Sequence, residues 1–204
     1  MAAKLGILGS GEGSNMAAID DSCRSGVLAA EVALVLSDVE DSGILKLAKE
    51  RNISHAYIAP GQYRTKLDDS AESEFIRQLQ AAAVDWVVLA GFMRIIKSNS
   101  LRAFPERIVN IHPSLLPSFP GLGAAAQAIE FGAKVTGATV HVVDQGIDTG
   151  AIIAQEAVRI EEGDTAQRLH ERIKATEHRL YPQALNDLIS GRIKICGRTT
   201  QRQA

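Results

Sequence analysis

The run Trp86-Val-Val-Leu-Ala90 is apolar at every position. Such a stretch needs cover on both faces, which a central strand of a parallel sheet provides. The surrounding chain agrees. Lys4 to Leu8 reads as a first strand, Val32 to Leu36 as a second and His55 to Ile58 as a third. Helical stretches fall between them. One runs to about Ser25. A second is capped by Asp38-Val-Glu-Asp-Ser42 and runs to about Arg51. A third carries Phe75, Ile76, Leu79 and Ala83. Strands alternating with helices at this rhythm predict an α/β fold, a doubly wound, mostly parallel sheet with helices on both faces. With 204 residues, 46% of them hydrophobic, a sizeable core is available and wholesale disorder is excluded.

The second half is less regular. Ile108 to Ile111 predicts a short buried strand, and Pro113, Pro117 and Pro120 with Gly121 and Gly123 predict a rigid loop. Ala124 to Phe131 reads as a helix, Thr136 to Val143 and Ala151 to Ala157 as strands. The Asp164-Thr-Ala-Gln167 box should start a long helix that Pro182 kinks or divides. Cys196 to Ala204 is polar and should fray. His55 reads as a strand-end surface residue and His141 as a satisfied core histidine. Cys23 and Cys196 lack metal-ligand spacing and read as free thiols. A net charge of −2 argues against nucleic acid or an anionic membrane as the main partner. No signal peptide or membrane-spanning run is evident, so the expected location is cytoplasmic.

Two places can carry chemistry. Asn110 and His112 are two apart on a strand that Pro113 ends, so both side chains project to one face. An amide donor beside an imidazole is a plausible reaction centre. A buried pair that merely satisfies nearby backbone groups would give the same pattern. Farther on, the glycines of Asp144-Gln-Gly-Ile-Asp-Thr-Gly150 can shape a loop that presents Asp148. At the other end, Gly9-Ser-Gly-Glu-Gly-Ser-Asn15 sits between a strand and a helix, where free helix N–H groups favour an anion. It matches neither the dinucleotide fingerprint nor the nucleoside-triphosphate loop. A small phosphate monoester on backbone N–H groups, Ser14 and Asn15 fits better. A tight turn without a ligand is the alternative.

Asn110-Ile-His-Pro-Ser-Leu-Leu-Pro117, with Pro120-Gly121 and Ile147-Asp-Thr-Gly150, resembles the core of the 10-formyltetrahydrofolate-dependent formyltransferases. The glycine loop and Ala90-Gly-Phe-Met-Arg94 resemble the phosphoribosylglycinamide branch of that family, over nearly the whole chain. The resemblance implies a Rossmann-like formyltransferase fold and one domain, 1–204. Within it, 1–110 would be the nucleotide/phosphate-binding half, 111–195 the catalytic and folate-binding half and 196–204 a polar tail. It also implies formyl transfer from 10-formyltetrahydrofolate, a co-substrate, to the amine of glycinamide ribonucleotide, in purine biosynthesis and without a metal. Asn110, His112 and Asp148 would be catalytic. Gly13, Ser14, Asn15, Arg64, Lys174 and Glu177 would hold the ribonucleotide. Met93, Arg94, Ile95, Ile96, Val143 and Asp144 would hold the folate. The partners would be these small molecules, neither nucleic acid nor membrane, with the chain a monomer or homodimer.

The chain departs from the family pattern at Gly123-Ala-Ala-Ala126, where many members carry polar residues, and at Ala151, where many have proline. The first departure removes candidate polar support for Asp148. Rival readings share parts of the pattern. A formyltetrahydrofolate hydrolase uses the same Asn-His-Asp set but normally has an extra N-terminal regulatory domain, whereas this chain begins at its first strand. A methionyl-tRNA formyltransferase would need a C-terminal RNA-binding domain, and a sugar-amine formyltransferase has no evident need of the phosphate loop. A non-catalytic phosphate-binding module would not need an acid-base pair.

Overall fold

The computed structural model describes residues 2–203. Two compact units are present, Met1–Asn110 and Ile111–Ala204. The first contains β1 (Ala3–Leu8), α1 (Ser14–Arg24), β2 (Ala30–Ser37), α2 (Gly43–Glu50), β3 (His55–Tyr57), α3 (Asp69–Ala81), β4 (Trp86–Leu89) and α4 (Ser98–Ala103). Strand β5 (Ile108–His112) runs across the boundary. Its strands pair in parallel in the order β3-β2-β1-β4-β5. Every residue of β4 is buried, and β4 pairs with β1 on one side and β5 on the other. That is the position its unbroken apolar sequence demands. A Cβ on Gly6 would lie 2.4 Å from Leu79 Cδ2, so glycine there lets α3 seat closely on β1.

The chain leaves β1 in one direction, through β2 to β3, and returns to β1's other side as β4. The carboxyl ends of β1 and β4 therefore flank a switch point, the usual place for a ligand in an open α/β sheet.

The second unit holds α5 (Ala124–Phe131), β6 (Val135–Val142), β7 (Ile152–Arg159), α6 (Ala166–Ile189), β8 (Ile193–Cys196) and β9 (Thr199–Arg202). β6 and β7 are antiparallel, and α6 packs on both. Leu169, Ile173, Leu180, Tyr181 and Leu185 form its buried stripe. With β6 and β7 the sheet has seven strands, β3-β2-β1-β4-β5-β6-β7. The fold class is the expected one, α/β with a mostly parallel sheet. Among the described residues, no helix is long and apolar enough to cross a membrane.

Several local expectations are overturned. The polar tail does not fray. β8 and β9 form a hairpin, and Thr200 Oγ1 donates to the Ile152 carbonyl at 2.9 Å. Buried Asp187 holds both Arg192 and Arg202, which ties the hairpin to α6. The last residue of that tail, Ala204, lies outside the described residues. Helix α6 is capped by Thr165, whose side chain accepts from Arg168 N–H, because Asp164 turns to Arg172 and the Glu161 N–H. Pro182 does not divide α6. Ser42 makes no side-chain cap on α2, and Asp38 points to Ser10 and Arg94 instead. Ala83 lies beyond α3 with φ 53° and is exposed.

Candidate active site

β5 crosses the boundary and carries two of the reaction-centre candidates, Asn110 and His112. Ile108, Val109 and Ile111 are buried and fix the strand. Asn110 and His112 lie on the face that Ile108 begins, opposite Val109 and Ile111. Asn110 is half-buried and His112 is buried. Past Pro113 the loop is held by side chains from the neighbouring strands. Thr139 Oγ1 donates to the Ser114 carbonyl at 2.6 Å and accepts from Leu116 N–H at 3.0 Å. Gln155 donates to the Leu116 carbonyl at 2.8 Å. This bracing brings the Phe119 carbonyl to 2.8 Å from His112 Nε2.

The other ring nitrogen, Nδ1, lies 3.3 Å from Asp148 Oδ2. Each ring nitrogen therefore meets an acceptor, a pattern that a ring with two N–H donors satisfies. Asp148 has φ 54°, a left-handed conformation that aspartate tolerates better than most residues. The loop that imposes it is closed at its ends. A Cβ on Gly150 would lie 1.8 Å from the Val142 carbonyl oxygen, so only glycine fits there. Asp144 Oδ1 accepts from Gly146 N–H at 3.0 Å and Thr149 Oγ1 at 2.6 Å. Asp144 is thus spent on the loop, while Asp148 faces the imidazole.

His141 faces the same carboxylate. Its Nε2 is 3.6 Å from Asp148 Oδ1, and its Nδ1 is 3.0 Å from the Val142 carbonyl. The core role expected for His141 is therefore incomplete. It is buried, but it contacts the loop acid. Burial by itself would raise the Asp148 carboxyl. The His141 hydrogen bond, the Gly121 N–H at 2.8 Å and the charges of both imidazoles outweigh it and hold the carboxyl below its usual range. The Gly121 bond also answers the alanine run. Asp148 takes its support from the backbone, and Gln127 steadies that backbone by donating to the Pro120 and Leu122 carbonyls.

A carboxylate set against two imidazoles suits proton transfer. Residues 3–185 match the family model described as formyl transferase. The chain belongs to the formyl transferase family. It is 40% identical over 186 residues to phosphoribosylglycinamide formyltransferase of Bacillus subtilis (strain 168), covering 91% of this chain and 94% of that one. It is also 40% identical over 194 residues to the trifunctional purine biosynthetic protein adenosine-3 of Gallus gallus, covering 94% of this chain and 19% of that much longer protein. The crystal structure of glycinamide ribonucleotide transformylase 1 from Symbiobacterium toebii has a TM-score of 0.95 at 44% identity, over 99% of this chain and 94% of that one.

The remaining candidates of this formyl transferase divide between the units. In the first, Gly13 has φ 86° and precedes α1, and no side chain caps that helix. A Cβ there would meet Ile44 Cα at 2.8 Å, so glycine is required on both counts. Ser14 and Asn15 open the helix and are half-buried. Arg64 is exposed, and its carbonyl accepts from Arg94 Nη1. Met93 and Ile95 are exposed and Ile96 half-buried, whereas the Arg94 guanidinium turns inward to Asp38. In the second unit, Lys174 is half-buried and Glu177 buried on α6, and Val143 is half-buried beside exposed Asp144. Among the described residues, no group of three or more His, Cys, Asp or Glu is arranged to hold a metal ion. Residue-by-residue reading missed His141 as a site residue, and it missed Phe119 and Gly121, which act through backbone atoms.

Proposed function

We propose that this formyl transferase moves the formyl group of 10-formyltetrahydrofolate to the amine of glycinamide ribonucleotide. The products are formylglycinamide ribonucleotide and tetrahydrofolate, in de novo purine biosynthesis. The amine nitrogen attacks the formyl carbon, a new C–N bond forms and the carbonyl oxygen becomes an oxyanion. Asn110 and His112 donate to that oxygen, the formyl oxygen replacing the Phe119 carbonyl as acceptor for His112 Nε2. Asp148 holds His112 in its two-donor form and takes up the proton lost by the amine through water. The bond to N10 breaks, and a proton returns to N10 of tetrahydrofolate. The observation that carries this reading is the Asp148 carboxylate set against His112 and His141.

In this reading, Gly13, Ser14 and Asn15 bind the ribonucleotide phosphate, Lys174 adds positive charge, and Glu177 and Arg64 serve its glycinamide and ribose parts. Met93 to Ile96, Val143 and Asp144 bind the folate, mainly through backbone groups. The chain works in the cytoplasm as a monomer or homodimer on small molecules, not on nucleic acid or membrane, and needs no metal. The test is purified protein with 10-formyltetrahydrofolate, with and without glycinamide ribonucleotide, following tetrahydrofolate release. Release that requires the amine supports transfer. Equally fast release without it indicates hydrolysis.

A further inference from the structure

The first unit contains a buried carboxylate that the chemistry above does not use. Asp38 is 4% exposed and follows β2. Its Oδ1 accepts from Ser10 Oγ at 2.5 Å, and its Oδ2 accepts from Arg94 Nε at 2.6 Å. The network extends from both partners. Ser10 Oγ accepts from Met93 N–H at 2.9 Å, and Ser10 N–H donates to the Gly91 carbonyl at 3.0 Å. Arg94 Nη1 donates to the carbonyls of Tyr63 at 2.7 Å and Arg64 at 2.5 Å. Beside it, Ile95 N–H donates to the Thr65 carbonyl at 2.8 Å.

Two segments are therefore tied to the Asp38 side chain, the glycine loop and residues 91–95, and Arg94 extends the tie to residues 63–65. Apart from one isolated parallel bridge between Lys66 and Ile95, none of them is regular structure over the tied residues. A buried ion pair is a costly way to fill space, and apolar packing often stabilises as well or better. What charged hydrogen bonds add is direction, since each fixes an angle as well as a distance.

We propose that Asp38 is a positioning residue for both substrates, setting the glycine loop and the 91–95 segment relative to each other. This rests on the reading above, in which the first meets the ribonucleotide and the second the folate. Losing Asp38 frees the Ser10 hydroxyl and the Arg94 guanidinium at once, and the two segments then keep only the bonds of Ser10 to Gly91 and Met93. The chemistry of His112 and Asp148 is untouched, so the loss falls on binding rather than on turnover.

The test is steady-state kinetics of Asp38→Ala and Ser10→Ala with both substrates varied. Asp38→Ala should raise the KM for glycinamide ribonucleotide and that for 10-formyltetrahydrofolate by about 10-fold or more each, the scale of one lost hydrogen bond to a charged group. Its kcat at saturation should stay within about threefold of wild type. Ser10→Ala removes one arm and should raise both KM values by less. The double variant should be no worse than Asp38→Ala alone, because both changes act through one network. A lower melting temperature with both KM values unchanged, or a change in only one, would overturn the proposal. Should Asp38→Ala fail to fold, Ser10→Ala with both KM values at wild type has the same force. Ser14→Ala separates the two layers. If it leaves the ribonucleotide KM unmoved, the placement of that substrate is wrong. If Ser14→Ala responds and the Asp38 network does not, only the positioning role falls.

Discussion

Asp38 directly follows β2 and Asp148 lies in the loop between β6 and β7; the side chains of both are largely out of water, and their partners differ in one respect. Asp38 faces a guanidinium and a hydroxyl. Asp148 faces two imidazoles and a peptide N–H. A guanidinium does not give up its proton in a protein, whereas an imidazole exchanges one near neutral pH. The first aspartate is therefore part of a fixed brace, and the second belongs to a set whose protons can move. On the proposed reading, the same residue type serves architecture in one unit and chemistry in the other, and the partner decides which. Changes at Asp148 should fall on kcat, and changes at Asp38 on KM.

The largest effects test the proton-moving side. His112→Ala and Asp148→Asn should each lower formyl transfer by at least ~100-fold, the usual scale for losing an acid-base or oxyanion group. Ribonucleotide binding, followed by calorimetry, should stay close to wild type. Asp144→Asn should be mild, since Asp144 bonds only within its loop. An inactive Asp144→Asn beside an active Asp148→Asn would reverse the assignment of the acid. Next in size is His141→Gln. It removes the imidazole that lies 3.6 Å from Asp148 Oδ1, and we expect a fall in kcat of about tenfold. Wild-type turnover in that variant would return His141 to a purely structural role.

How much of this could be read from the residues alone follows from where each signal lies in the chain. Asn110 and His112 are two apart on one strand, and Asp148 sits in a loop marked by glycines, so local pattern reaches them. His141 is flanked by Val140 and Val142 and looks like any inward strand residue. Its contact with Asp148 depends on how the loop folds back with φ 54° at Asp148, which spacing does not reveal. The Asp38–Arg94 pair joins positions 56 apart and depends on β2 and β4 lying on opposite sides of β1. The hairpin of β8 and β9 was hidden for a different reason. It carries few apolar residues, and it is held by backbone pairing and by the grip of Asp187 on Arg202, neither of which hydrophobic periodicity records. The alternating core, by contrast, was legible because burial on two faces leaves an unbroken apolar run at β4.

Smaller effects are expected where the ligand is held by many weak contacts. Ser14→Ala and Lys174→Ala should each raise the KM for glycinamide ribonucleotide several-fold, about 1 kcal/mol of binding, with little change in kcat. The folate KM should move less. This sets them apart from Asp38→Ala, which should move both. If Ser14→Ala or Lys174→Ala weakened folate instead, the two ligands would have to exchange places.

The smallest expected effect concerns acid stability, and it bears on whether Asp148 is held ionised by its partners. Its carboxyl lies below the usual carboxylate range in the folded protein. In the unfolded chain it returns to about 3.9. A depressed folded value means that the unfolded chain binds the proton more readily. The stabilising contribution is then fully present above the unfolded value and is lost as pH falls through the folded one. Asp148→Asn has no such contribution at any pH. Wild type should therefore melt above Asp148→Asn at pH 6 to 7. The gap should narrow steadily as the pH is lowered below about 3.9. Glycinamide ribonucleotide must be left out of these melts, since its binding would stabilise the folded state independently. A gap that stays constant down to the acid limit would mean that the difference comes from packing or hydrogen-bond geometry. Asp148 would then resemble Asp38 more closely than its imidazole partners imply.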